Sequence, residues 1–235
     1  MQERLYEKSY LNWSRMRSKR RTALTGSAVM LASAAAAATC GGAFAATLLP
    51  VTVIAITTGT WNLDAVHSDV DFVVRHAGIS KVRGTFHAVE GQLVIAEEFT
   101  KSSVEVTVDV ASISTKNEGR DGHLRSDEFF DVEQFPTMTF RSTEVRGEPE
   151  EFTLVGELTL HGVTRTVELE AEFGGQDKDP FGATRVGFEA TGEISRKDFG
   201  LTWNAATEAG GLLVSDKVKL EIGAAFVLSE ADAQA

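Results

Sequence analysis

Cysteine and proline are scarce in this chain, and its pattern holds no paired catalytic carboxylates. Cys40 is the single cysteine among 235 residues, so no intramolecular disulfide exists. Thr39 before it is a poor residue for a lipoprotein motif, and Cys40 reads as a small residue of the head segment. The five histidines, His67, His76, His87, His123 and His161, lack the spacing that places two ligands on one strand or helix face beside a third, so no metal is expected. No glycine-rich loop follows a strand and opens a helix, which removes the common phosphate cradles. The carboxylates of Glu168, Glu170 and Glu172 fall on one alternating face, a solvated surface rather than a catalytic pair. His67, Ser68 and Asp69 name the members of a triad. Consecutive residues in extended chain point to opposite sides and cannot converge, so with Asp64 they read as turn-bonding residues. No enzyme and no cofactor are expected.

Positive charge is also scarce, except at the start. Residues 1–57 hold seven Lys/Arg and two acids, which leaves 16 basic and 32 acidic residues for 58–235, a net of −16. A body so acidic excludes nucleic acid and disfavours an anionic membrane surface. The head combines a basic cluster (Arg15, Arg17, Lys19, Arg20, Arg21) with the apolar run Ala23–Ala38 and the small-x-small site Ala43-Phe44-Ala45. That is the grammar of a secretory signal cut after Ala45. The uncharged stretch from Thr22 to Leu63 also exceeds the ~20 residues that span a bilayer. The segment 1–57 is therefore a signal or, alternatively, a membrane anchor. A start downstream would leave a cytoplasmic domain. Any membrane contact is assigned to this segment alone.

What the body has in abundance is period-two alternation, the mark of half-buried strands. Val70, Phe72 and Val74 alternate after Trp61. A strand follows over Lys81–Ile95, with Gly91 as a bulge or bend. Val104, Val106, Val108 and Val110 alternate with Glu105, Thr107 and Asp109. Further strands cover Thr137–Gly147, Phe152–Leu160, Val167–Phe173, Val186–Ile194 and Val218–Phe226. His161-Gly162 marks a hairpin turn, Gly174–Gly182 a loop and Arg196–Gly200 a turn. The pattern stops over Ser114–Phe135, which reads as a lid-like segment carrying a short helix from Asn117 to Ser126, with Leu124, Phe129 and Phe130 turned inward. Eight to nine strands with almost no helix mean a sandwich or a barrel, and closure removes both edges. The domain is placed at 58–229, with a disordered tail at 230–235.

The dry faces mix large residues (Phe72, Phe152, Phe173, Phe188, Phe226) with small ones (Gly156, Ala171, Ala190, Gly192, Ala224). From this pattern alone a packed core and an apolar bore are equally well served.

Four ordered blocks carry a family resemblance: DAVHSDVDFVVRHAGISKVRGTF, GHLRSDEFFDVEQFPTMTF, GELTLHGVTRTVELE and RKDFGL. Together they resemble the YceI-like family of lipocalin-like, polyisoprenoid-binding proteins. The resemblance implies an all-β fold, an extended antiparallel eight-stranded barrel with a short helical lid, enclosing an apolar channel. It implies an isoprenoid lipid or isoprenoid quinone as partner, held by a carrier, storage or sequestering protein linked in some relatives to stress response. The alternatives are an enzyme acting on a lipophilic substrate and a structural barrel without ligand. The expected bore residues are Phe72, Val74, Val106, Val108, Phe152, Leu158, Leu169, Phe173, Phe188, Ala190, Gly192, Ile222 and Phe226. A polar head group needs donors at the mouth, for which Arg75, His76, Lys81, Arg83, His123 and Arg125 are the candidates. A homodimer is compatible with this reading, and the sequence leaves the oligomeric state open.

Overall fold

The computed structural model describes residues 55–208 and 210–233. The expected signal or anchor, with its cleavage site after Ala45, lies outside the described residues. Among the described residues, no helix is long and apolar enough to cross a membrane.

The strands are β1 (Gly59–Leu63), β2 (Asp69–His76), β3 (Ser80–Phe86), β4 (Val89–Ile95), β5 (Ser103–Asp109), β6 (Ile113–Ser114), β7 (Thr137–Glu148), β8 (Glu151–Leu160), β9 (Val163–Lys178), β10 (Thr184–Ser195) and β11 (Val214–Leu228). Neighbours pair in the order β1-β4-β5-β7-β8-β9-β10-β11, and β11 returns to β1. Eight antiparallel strands thus close a barrel. β2 continues β1 along β11, β3 leads into β4, and β6 follows β5. The barrel is therefore a meander of eight staves taken in chain order, three of them broken in two. Closure leaves most backbone donors and acceptors paired within the ring.

The breaks have local causes. Between β1 and β2, Asp64 Oδ1 accepts from Val66 N at 3.0 Å and Asp64 Oδ2 lies 2.8 Å from His67 Nδ1. Ser68 Oγ donates to Asp64 O at 2.8 Å and accepts from Ala225 N at 3.0 Å. Ser68 thus stands in for a ladder group while the chain turns through Ala65–His67. This is the turn-bonding role expected for Asp64, His67 and Ser68.

Four expectations need correction. Lys81–Ile95 is two strands, interrupted at His87 and Ala88. Gly91 is no bulge, because β4 and β5 keep register through it. A Cβ there would stand 2.6 Å from Glu105 O, so the position needs glycine for close backbone approach. Gly174–Gly182 is largely strand: β9 runs to Lys178, and its register against β10 shifts between Gly187 and Phe188. The tail is not frayed over Glu230–Ala233. It forms one helical turn, and Asp232 Oδ2 accepts from Thr60 N at 2.8 Å. At the β8–β9 turn, His161 and Gly162 both have positive φ, 52° and 71°, which suits the twist of a two-residue hairpin.

The β2–β3, β8–β9 and β10–β11 connections share one end with the helix α1 (Glu118–Arg125). The β4–β5, β7–β8 and β9–β10 connections share the far end. The lid end is solid. Val110, Ile113, Phe199, Leu201, Ile194 and Val218 are buried there in one cluster, against which Leu124 and Phe130 pack. α1 is capped by Asn117, whose side chain accepts from Arg120 N, and by Ser126, the residues from which the sequence placed it. The buried Asp121 accepts from Thr115 N at 2.9 Å and from Thr115 Oγ1 at 2.5 Å, which fastens α1 to the end of β6. Arg196 opens the RKDFGL turn with its side chain buried. Its Nε donates to Ser215 O at 3.0 Å and its Nη1 to Leu201 O.

Candidate functional site

A cavity of about 200 Å³ runs inside the barrel, and its surface is entirely apolar. Of the side chains that line it, only Ser102, Ser103 and Thr139 carry polar atoms, and none is titratable. No acid or base stands where proton transfer to a bound molecule would need one. Among the described residues, no group of three or more His, Cys, Asp or Glu could hold a metal ion.

The alternation of the strands builds this wall. Val106, Val108, Phe152, Leu158, Leu169, Phe188, Ala190, Ile222 and Phe226, all expected bore residues, line the cavity. Phe72, Val74, Phe173 and Gly192 do not border it. Phe72 lies across Gly84 and against Phe86, with ring centroids 5.6 Å apart. Val74 packs on the lid-end cluster. Phe173 packs beyond the cavity with the far-end cluster of Trp61, Leu93, Ile95, Val186 and Phe226.

Gly192 is covered. A Cβ on it would stand 2.6 Å from Leu169 Cδ2. Gly156 is covered in the same way by the ring of Phe140. The glycines do not open the bore by themselves. Each lets a large side chain fold back against the wall, and it is that side chain which faces the cavity. The open floor comes instead from alanines: Ala171 and Ala190 are direct cross-strand partners, and Ala224 pairs with Phe188.

Several wall residues carry no period-two signal. Phe99 sits in the β4–β5 connection and Phe130 in the lid segment, yet both line the cavity. Phe99 meets Phe152 edge-on with ring centroids 5.0 Å apart. Their aromatic character within polar connections was the available clue.

None of the six head-group candidates borders the cavity. They cluster at the lid end, and the buried core of that end lies between. Arg83 pairs with Glu221 at 2.8 Å. His123 pairs with Glu128 at 2.6 Å and stacks edge-on against Phe129 and Trp203. Arg125 donates to Ala111 O at 2.8 Å and Ile113 O at 2.9 Å, a structural tie for α1. Arg75 and Lys81 face each other across β2–β3, as do His76 and Ser80.

Comparison with known proteins agrees with this architecture. The model of the YceI-like domain matches residues 61–226. A UPF0312 protein of Staphylococcus aureus strain N315 is 37% identical over 175 residues, which are 72% of this chain and 98% of that protein. Among solved structures, the Campylobacter jejuni YCEI protein superimposes with a TM-score of 0.57 at 32% identity, covering 66% of this chain and 90% of its own. A polyisoprenoid binding domain from Saccharophagus degradans shares the fold with a TM-score of 0.55 at 18% identity, over 74% of this chain and 100% of that domain.

Proposed function

Because the chain belongs to the YceI-like domain family, we propose that its barrel holds one lipophilic, isoprenoid-type molecule and acts as a carrier or sequestering protein rather than an enzyme. The observation that carries this reading is the continuous apolar cavity with no titratable group on its wall. A packed barrel would have filled that space, since protein interiors leave few voids larger than a water. The fold shared with a domain described as polyisoprenoid binding supports the same ligand class.

The ligand-binding residues of this proposal are those on the wall, among them Phe152, Phe188, Ala190, Ile222 and Phe226. The cavity of about 200 Å³, against the roughly 150 Å³ that holds a benzene ring, takes roughly two isoprene units as it stands. Each five-carbon unit moved from water gains up to ~4 kcal/mol. Drawn from a membrane instead, the chain exchanges one apolar surrounding for another, and that gain nearly vanishes. Selection then rests on bore shape and on what meets the head group.

Native mass spectrometry of the protein purified without added lipid tests the reading. The expected result is a protein peak heavier by one apolar small molecule, which solvent extraction recovers unaltered. A barrel that is always empty, and takes up no prenyl compound when offered one, overturns it.

A further inference from the structure

Among the described residues the hydrogen-bonded ring is interrupted in three places. Toward the lid end β9 and β10 pair only as far as Glu170–Thr191, and Leu169 lies over Gly192 just past that point. At the lid end, β3 pairs with β6 only through Thr85 and Phe86, leaving Ser80–Gly84 without a partner on that side. The cavity does not reach this gap, because Phe72 lies across Gly84 and fills it. At the far end, β5 and β7 pair only from Asp109–Thr137 to Glu105–Arg141. Past that point Ser142 Oγ accepts from Val104 N at 2.8 Å, and β7 runs on to Glu148 paired with β8 but with no strand on its β5 side. The short turn Phe99–Lys101 covers this edge. The cavity does reach here, since Phe99, Ser102, Ser103 and Val145 all line it. Phe99 is half-buried, meets Phe152 edge-on and accepts from Ser102 N through its carbonyl at 2.9 Å.

Acidic charges outnumber basic ones around this gap. Glu97 and Glu98 precede Phe99, while Glu148, Glu150 and Glu151 form the tip of the β7–β8 hairpin beside Phe152, and all five are exposed. Glu148 and Glu151 are direct cross-strand partners, a like-charge pairing that resists further negative charge. The one guanidinium on this stretch of β7, Arg146, is bound by Glu144 at 2.8 Å and Glu168 at 3.0 Å. Lys101 is the single cation on the turn. Ser102 and Ser103 are the polar residues that line the bore here, and the surface they present to it is apolar.

We infer that the bore opens beside Phe99, between β5 and the free edge of β7, and that this acidic mouth admits a prenyl chain with an uncharged head and rejects one ending in pyrophosphate. The inference rests on the proposed lipid-binding function and narrows its ligand class. A pyrophosphate there meets five carboxylates and one lysine, and like charges brought together at the mouth repel one another.

Geraniol and geranyl pyrophosphate carry the same ten-carbon chain and differ only in the head. Binding of each is measured by displacement of an apolar fluorophore from the lipid-stripped protein. Geraniol is expected to bind at least tenfold tighter. The double variant Glu98→Lys/Glu150→Lys is expected to narrow that ratio at least threefold through tighter pyrophosphate binding, with geraniol unchanged. Lys81→Glu, at the opposite end, is expected to leave both affinities alone, and Phe99→Ala to speed geraniol release at least threefold. Equal or tighter pyrophosphate binding by the wild type overturns the inference while the lipid-binding function stands. So does a response to Lys81→Glu in place of the double variant. Displacement by neither compound, together with an empty barrel in native mass spectrometry, overturns both.

Discussion

Leu169 lies flat over Gly192, its Cδ2 only 2.6 Å from where a Cβ on that glycine would be. The pair makes wall out of what would otherwise be obstruction. Gly192→Ala pushes Leu169 off the wall and into the bore, because Glu168 O at 3.2 Å blocks the other side. The expected result is lower lipid occupancy in native mass spectrometry. The melting temperature should fall modestly, in keeping with the ~1–3 kcal/mol of a small overpacking.

Ala190 lines the cavity opposite Ala171. Ala190→Trp fills the bore. In a barrel that is hollow at this point the added ring enters existing space, so the lipid-stripped variant should melt close to wild type while binding is lost. A solid interior would instead be overpacked and lose ~1–3 kcal/mol or more. Melting curves and bound lipid, measured on the same preparations, separate the two.

Arg185 ties two turns together at the far end. It donates to Asp179 Oδ2 at 2.8 Å and to Asp64. Burial pushes the Asp64 carboxyl up, but hydrogen bonds from Arg185, His67 and Val66 N outweigh it and hold it below the usual range. The Arg185 hydrogen bond, with those from Ala183 N and Phe181 N, lowers Asp179. A carboxylate lowered in the folded state adds stability above its unfolded value, about 3.9 for aspartate. That stability is lost as pH falls through the folded value. Arg185→Met removes the main partner both acids share. Its acid-unfolding midpoint, followed by circular dichroism, should therefore lie at higher pH than that of wild type, and the gap between the two should close once both acids are protonated.

Asp121 is buried and accepts two hydrogen bonds from Thr115. Asp121→Ala leaves the Thr115 amide without a partner, a loss of ~1–3 kcal/mol. Hydrogen exchange should show α1 opening before the strands do. If α1 stays as protected as the barrel, the Asp121–Thr115 link is not what fastens it.

Much of this was legible in the residues themselves. Val104, Val106 and Val108 alternate strictly, so their inward side follows from the period of an extended chain. The limits of α1 follow from Asn117 and Ser126, whose side chains compete for backbone groups at helix ends. His161-Gly162 announced its turn because few other pairs accept two positive φ values. These are local rules, and they need no neighbour to operate.

Tertiary structure alone decided which inward residues face a cavity and which face each other. Phe72 and Phe188 look alike in sequence, yet Phe72 lies across Gly84 and Phe188 lines the bore. Gly192 reads as an opening, and only the strand beside it shows that Leu169 occupies the place. The cations around Arg75 and Arg125 looked suited to a head group. Closure of the barrel put them at the lid end and set the buried cluster around Phe199 between them and the cavity. Phe99 has no periodicity at all, and it joins the wall only because β7 runs past the end of β5. Period two tells a residue its side of the sheet. Its depth along the barrel, and what fills the space in front of it, depend on the register and closure of strands far apart in the chain.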